Sequence, residues 1–190
     1  HLLSRRQRQM CIRDRNEPPP PVLPEYEAIV AQHSDFAGWI TIDGTKIDYP
    51  VMLTPNDGDY YLKRNVNGED DINGTLFMDP RTDLVQRSTN IIIYGHNMKN
   101  GSMFGHLKKF TEDEKLYNND RYFWILTPDK NYRYEIISAY TTGVNSDTYT
   151  LFKGPGEEFE EYLKKIKSYS DIKTEDTELT IKDKIVTLST

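Results

Sequence analysis

The order of apolar and polar positions along the chain predicts many short strands with helices inserted between them. The clearest hairpin joins strands at 39–42 and 46–52 through Asp43-Gly44, a dipeptide typical of tight β-turns. The continuous apolar stretch 90–94 predicts a central strand. Further strands are predicted at 74–78, 121–127, 131–144 and 185–190, with a helical turn at 59–63. Because no βαβ unit repeats, the pattern indicates a mostly antiparallel β-barrel.

Three helices are predicted among these strands. The first covers 25–33, and an apolar face predicts a second at 102–110. The third begins at Pro155, since proline suits a first helical position. Its apolar face, at helical spacing, is predicted to consist of Phe159, Tyr162, Leu163 and Ile166. The 190 residues are enough for one domain with a substantial core.

The charge of the chain is unevenly distributed. Residues 1–15 contain five arginines and one aspartate, a charge of +4, so the net −6 leaves −10 for residues 16–190. An acidic body argues against nucleic-acid binding. Segment 1–15 resembles nothing that follows and is predicted to be non-native; the alternative is a basic juxtamembrane arm that touches anionic lipid. Residues 16–24 form a Pro-rich linker, and 25–190 is the predicted folded domain.

Cysteine content and hydropathy limit the cellular setting. Cys11 is the only cysteine, which excludes a disulfide framework or a cysteine-rich zinc site. No apolar run is long enough to cross a bilayer, and the first residues do not form a signal peptide. We expect either a cytosolic protein or an N-terminal membrane anchor missing from this sequence, and we favour the missing anchor.

Candidate chemistry centres on His96. The strand at 90–94 fixes the backbone, Gly95 permits a sharp turn, and His96 then projects at the strand end beside Asn97. A general base needs such a rigid approach, an exposed ring and polar neighbours. For a lone histidine, a structural role at the strand end would be the better interpretation. The flanking residues favour the functional one.

These flanking residues resemble a known family. Tyr94–Phe104, YGHNMKNGSMF, is similar to the catalytic-histidine segment of class B sortases, cysteine transpeptidases that attach proteins to Gram-positive cell walls. Thr187–Thr190, TLST, is similar to the family motif T-L-S-T-C without its cysteine. Other matching segments follow in family order at 38–40, 47–51, 60–62, 74–79 and 158–166. The resemblance covers 25–190, so this domain is interpreted as a sortase catalytic domain that is incomplete at its C-terminus.

The resemblance implies a sortase-type closed β-barrel, with eight strands in the family and the last one missing here. We expect that loss to leave neighbouring strands with unpaired backbone groups. In the family, a cysteine after the TLST motif attacks the Thr carbonyl of an N-P-x-T-N sorting peptide. An acyl-thioester forms, and an amine of a peptidoglycan precursor or a pilin resolves it. His96 is then the implied proton donor and acceptor, and no cofactor or metal is implied.

The resemblance also suggests substrate contacts. Leu62, Ser146 and Tyr149 fall where class B sortases build the peptide groove, and Ser189 and Thr190 would shape the oxyanion region. Core packing is an equal alternative for Leu62 and Tyr149, as is a turn role for Ser146. Gly58 stands where the family often has asparagine. The implied location is the extracellular face of the membrane, with the anchor absent from this chain.

Other functions remain open at the level of sequence. A metal hydrolase would use His96 and His106 with Asp79 or Asp83, but no short zinc motif such as H-E-x-x-H is present. A serine hydrolase lacks its G-x-S-x-G turn. A non-catalytic, sortase-like peptide-binding module fits the chain as written, since no cysteine follows Thr190. For the same reason the 190-residue chain is expected to be inactive.

Overall fold

A computed structural model describes residues 2–6, as backbone alone, and residues 18–190. Within these residues the strands are β1 (Leu2–Arg6), β2 (Phe36–Thr41), β3 (Asp48–Met52), β4 (Leu76–Met78), β5 (Asn90–Tyr94), β6 (Tyr122–Leu126), β7 (Asn131–Ala139) and β8 (Ile185–Ser189). The α-helices are α1 (Pro24–Gln32), α2 (Lys109–Glu112), α3 (Glu114–Asn119) and α4 (Glu157–Ser168). Two short 3₁₀ turns cover Tyr60–Lys63 and Asp147–Tyr149.

The strands close into a barrel in the order β1-β7-β6-β2-β3-β4-β5-β8. Most pairs are antiparallel, whereas β3 with β4 and β5 with β8 are parallel. The parallel register places Asn90 beside Ile185 and Tyr94 beside Ser189. The carboxyl ends of β5 and β8 therefore meet at one rim of the barrel. The predicted mostly β fold with inserted helices is confirmed.

Apolar side chains fill the barrel, and a second cluster lies under α4. The interior holds buried residues from the strands and from the segments that connect them, among them Ile40, Ile93, Phe104, Tyr134 and Leu188. The helix α4 buries the face that its spacing predicted, Phe159, Tyr162, Leu163 and Ile166, against Ile137 and Tyr140. Burial of such a face contributes more to a helix of this length than propensity does. It fastens α4 to the outside of β7.

The predicted helix at 102–110 is wrong. Turns occupy most of this segment, and α2 begins only at Lys109. Gly101 has φ +82° and Met103 has φ +51°, and such left-handed backbone cannot continue a right-handed helix. Phe104 and Leu107 are nevertheless buried. Their apolar character predicted burial correctly, but it did not determine the backbone that delivers them.

Several boundaries also differ from the prediction. The strand β7 ends at Ala139 rather than at 144. The helix α4 starts at Glu157 because Gly156 before it is fully extended, so Pro155 lies outside the helix. The helix α3 was not predicted, although Asp113 caps it by accepting a 2.9 Å hydrogen bond from the N–H of Lys115.

The N-terminal segment takes part in the barrel. The strand β1 pairs antiparallel with β7 on one side and with β8 on the other. The expectation that neighbouring strands would be left with unpaired backbone is therefore wrong in this structure, because residues 2–6 pair with both β7 and β8. Cys11 and the rest of 7–17 lie outside the described residues. The non-native origin of 1–15 stays a prediction.

Candidate active site

His96 stands at the end of β5, where the backbone is held from two sides. The N–H of Gly95 donates a 3.0 Å hydrogen bond to the carbonyl of Ser189, and the N–H of Phe104 donates one of 3.0 Å to the carbonyl of His96. A Cβ on Gly95 would lie 2.3 Å from the Leu76 side chain and 2.8 Å from Phe104. Only glycine therefore fits at position 95. The hydrogen bond from its N–H fixes the backbone next to His96 against Ser189, at the end of β8.

The imidazole of His96 is oriented by a backbone carbonyl. Its Nε2 lies 2.6 Å from the oxygen of Leu62, in the first 3₁₀ turn. A carbonyl oxygen can only accept, so this contact assigns a proton to Nε2. In the neutral ring Nδ1 is then the nitrogen with the free lone pair. The half-exposed ring is therefore held in one tautomer with one nitrogen available as a base.

His96 and the end of β8 line one open cleft of about 660 Å³. Of the residues predicted from sequence, the cleft brings together His96, Leu62, Ser189 and Thr190. Leu62 is 37% exposed, which fits a groove wall better than core packing. Gly58 also lines the cleft, and a Cβ there would lie 3.0 Å from the ring of Pro80. The expected juxtaposition of the histidine and the terminal strand is thus present.

Tyr149 reaches this region from the second 3₁₀ turn. Its hydroxyl lies 3.0 Å from the hydroxyl of Ser189, and either can be the donor. Its ring stacks on Tyr94 with centroids 6.4 Å apart and an interplanar angle of 18°. Tyr149 therefore supports two residues of the cleft wall at once.

Ser146 does not join this cleft. It caps the second 3₁₀ turn, where its side chain accepts a 3.2 Å hydrogen bond from the N–H of Thr148. It lines a separate open cavity of about 530 Å³ with Tyr140, Val144 and Tyr169. Ser146 therefore lies in a different cavity from His96, and its predicted place in the peptide groove stays a prediction. The structure favours its turn role.

An ion pair that the sequence analysis missed joins an exposed arginine, Arg81, to a buried aspartate in the cleft wall, Asp79. Asp79 is 4% exposed and accepts from Arg81 Nε at 2.9 Å and from the second guanidinium nitrogen, Nη2, at 2.8 Å. The hydroxyl of Tyr94 lies 3.4 Å from the same carboxylate. These contacts, Arg81 first, hold the pKa of Asp79 below its usual value, and burial raises the pKa of Tyr94 to about 12. The available signal was an aspartate closing a strand with an arginine two residues later.

The residues proposed for the metal-hydrolase alternative have other partners. His106 Nδ1 accepts a 3.0 Å hydrogen bond from the N–H of Lys46, and His96 Nε2 contacts Leu62. In the described part of the chain no three His, Cys, Asp or Glu residues are grouped as a metal site would require. Each of the two histidines is thus hydrogen-bonded to a backbone group of another segment.

Comparison with known proteins identifies the family to which this barrel belongs. Residues 40–190 match the sortase domain model, and the chain belongs to the sortase family. Within that family it is similar to sortase B proteins. Sortase B of Listeria monocytogenes is 40% identical over 162 residues, which cover 83% of this chain and 63% of that protein. The chain thus spans less than two thirds of that relative's length.

Solved structures of sortase B proteins are also similar to this chain. Sortase B from Bacillus anthracis in complex with AAEK1 is 40% identical, with a TM-score of 0.78 over 87% of this chain and 77% of that one. A sortase B–substrate complex from Staphylococcus aureus is 27% identical, with a TM-score of 0.80 over 88% of this chain and 76% of that one. Among residues 2–6 and 18–190, no helix has the length and apolar character needed to span a bilayer.

Proposed function

We propose that this chain is the catalytic domain of a class B sorting transpeptidase. It recognises an N-P-x-T-N-like sorting signal on a secreted surface protein and transfers that protein to an amine of a peptidoglycan precursor or a pilin. The observation that carries the proposal is the single cleft shared by His96 and the end of β8. Family membership supports the same reaction, and the substrate complex of the Staphylococcus aureus relative supports a peptide ligand.

The chemistry needs a cysteine directly after Thr190, which this sequence does not contain. In a longer form, the thiolate attacks the Thr carbonyl of the sorting signal and forms a thioester. The Thr–Asn peptide bond breaks, and the departing amine takes a proton from the His96 imidazolium. The acceptor amine then attacks the thioester, gives its proton to His96 and releases the thiolate. Every proton that moves in the two steps passes through one imidazole.

The residues around His96 have supporting roles in this scheme. Leu62 contributes a wall for the peptide, and its carbonyl orients the imidazole. Ser189 and Thr190 are assigned the shaping of the oxyanion region, and the hydroxyl of Tyr149 lies 3.0 Å from that of Ser189. Ser146 is not assigned a substrate contact. We assign the reaction to the extracellular face of the membrane.

The alternative is a peptide-binding module without catalysis, for which the open cleft alone would be sufficient. One experiment separates the two functions. The coding sequence is extended from the source gene beyond Thr190, and the product is incubated with a fluorogenic N-P-x-T-N peptide and an amine. A cysteine at the next position with cleavage and amide formation supports the transpeptidase. Peptide binding without cleavage, or a stop codon at that position, supports the module.

A further inference from the structure

Gly74 lies against the carbonyl that orients His96. A Cβ built on Gly74 would sit 2.5 Å from the Leu62 oxygen, 2.7 Å from the Tyr61 oxygen and 2.9 Å from the Leu62 carbonyl carbon. All three are backbone atoms, so none can turn away as a side-chain tip would. Any residue other than glycine at this position must displace the first 3₁₀ turn. The Leu62 carbonyl is therefore held against His96 only because position 74 carries no side chain.

The segment around Gly74 is fastened to the same turn. The N–H of Thr75 donates a 3.0 Å hydrogen bond to the Tyr61 carbonyl, and the Thr75 hydroxyl donates one of 2.9 Å to the Arg64 carbonyl. Thr75 is 6% exposed, so these bonds are shielded from water. Gly74 thus cannot move back from Leu62 without breaking contacts on both sides of the turn.

We propose that Gly74 is a positioning residue for His96. By letting the entry to β4 close on the first 3₁₀ turn, it sets the Leu62 carbonyl opposite Nε2 and keeps the ring as the Nε2–H tautomer. Nδ1 then faces the reaction as the base. The role of Nδ1 as the base rests on the proposed function, whereas the Nε2–H tautomer of the ring does not.

Gly68 provides a matched control in the same connection. It has φ +78°, and Gly74 has φ +61°, so an alanine at either position meets the same kind of backbone strain. The Cβ at Gly68 would approach the Tyr60 hydroxyl at 2.7 Å, the far end of a side chain that can swing away. If Gly74 only relieves backbone strain, the two alanine variants should change the His96 tautomer equally. If Gly74 positions the Leu62 carbonyl, only Gly74→Ala should change it.

The test compares Gly74→Ala with Gly68→Ala in the full 190-residue chain. Histidine ¹⁵N NMR shifts report the tautomer of each neutral ring, and His96→Gln assigns the His96 signals. Wild type and Gly68→Ala are expected to show one Nε2–H form, and Gly74→Ala a mixture of both tautomers. An unchanged Nε2–H spectrum in folded Gly74→Ala would overturn the proposal, as would an equal change in Gly68→Ala.

A second pair of variants covers the case in which Gly74→Ala does not fold. Asparagine tolerates left-handed backbone better than alanine, so Gly74→Asn relieves much of the strain but keeps the Cβ clash. Gly68→Asn is its control, and the same ¹⁵N spectra report the His96 tautomer in both variants. Peptide cleavage plays no part in this readout. The two proposals can therefore fail separately. A chain that proves not to be a transpeptidase could still show the predicted tautomer change, and a transpeptidase could show no tautomer change.

Discussion

The hydroxyls of Tyr149 and Ser189 lie 3.0 Å apart, and they join the second 3₁₀ turn to the last residue of β8. Tyr149→Phe would remove this contact while keeping the ring that stacks on Tyr94. We expect the N-P-x-T-N peptide to bind the chain about five-fold more weakly, the effect of one hydrogen bond of about 1 kcal/mol. Isothermal titration calorimetry measures the affinity.

Tyr169→Phe is the matched control, because its hydroxyl bonds to Asp147 beside the other cavity. It should bind the peptide as wild type does. If both variants lose affinity equally, the Tyr149–Ser189 contact has no particular role in peptide binding.

Sequence patterns predicted the elements in which local chemistry and burial agree. The apolar run at 90–94 became the central strand β5, and the spacing from Phe159 to Ile166 gave the buried face of α4. The predicted helix at 102–110 was wrong because Gly101 and Met103 have positive φ and Met103 forms a β-bridge with Asn97, which hydrophobic periodicity does not record. The pairing of β1 between β7 and β8 depends on contacts far apart in sequence, so no local pattern could predict it.

The site was predicted less completely than the fold. His96 and the end of β8 were brought together by family resemblance, and the parallel register of β5 and β8 gives the physical reason. Ser146 lies in a different cavity from His96, because a serine before an aspartate caps a turn as readily as it lines a groove. The Arg81–Asp79 pair was missed because charges two residues apart in a loop usually face water, whereas Asp79 is buried.

His96→Ala tests the proposed base in a longer form of the chain that includes the expected cysteine. We expect the cleavage rate to fall by about 10²–10⁴-fold, the usual contribution of general acid–base catalysis. The circular dichroism spectrum should be unchanged, because the half-exposed ring contributes little to the core. His106→Asn serves as the control and should retain activity. A near-wild-type rate for His96→Ala would remove this histidine from the mechanism.

The 190-residue chain itself is predicted to be inactive. It carries one thiol, that of Cys11, and no cysteine follows Thr190. Incubation with a fluorogenic N-P-x-T-N peptide should give no cleavage, and hydroxylamine should trap no thioester product. Cleavage that survives in Cys11→Ala would show that another group acts as the nucleophile.

Arg81→Met tests the ion pair in the cleft wall. Hydrogen bonds to charged groups contribute about 1.5–3 kcal/mol in general. Because the Arg81 side chain is 68% exposed, we expect about 1–2 kcal/mol less stability at pH 7.

The pKa of Asp79 is lowered, so this contribution is present above the unfolded value of 3.8 and is lost as pH falls through the folded value. Urea unfolding should therefore give a wild-type–variant difference in stability that is constant well above pH 3.8 and shrinks as the pH falls below that value. A difference that stays constant with pH would contradict the ion-pair account.

His106 should make stability sensitive to mild acid. Burial first, and then the nearby charges of Lys109, Lys46 and Lys108, lower the pKa of His106 below 6.5. Its Nδ1 accepts the N–H of Lys46, a bond that protonation of Nδ1 would break. In the window between the folded pKa and 6.5, the unfolded chain binds the proton more readily than the folded chain does. The contribution is therefore complete above pH 6.5 and declines as pH falls through the folded pKa.

His106→Asn supplies the comparison for this pH effect, because the asparagine side-chain oxygen can accept the same N–H without titrating. Urea unfolding at intervals from pH 7.5 to pH 5 should show wild type losing stability relative to the variant below pH 6.5, with a constant difference above it. The connection matters for the site because the Lys46 ammonium also donates a 3.0 Å hydrogen bond to the Asn100 carbonyl, in the loop that follows His96. If the stabilities of wild type and variant change in parallel across the whole pH range, protonation of His106 does not affect folding.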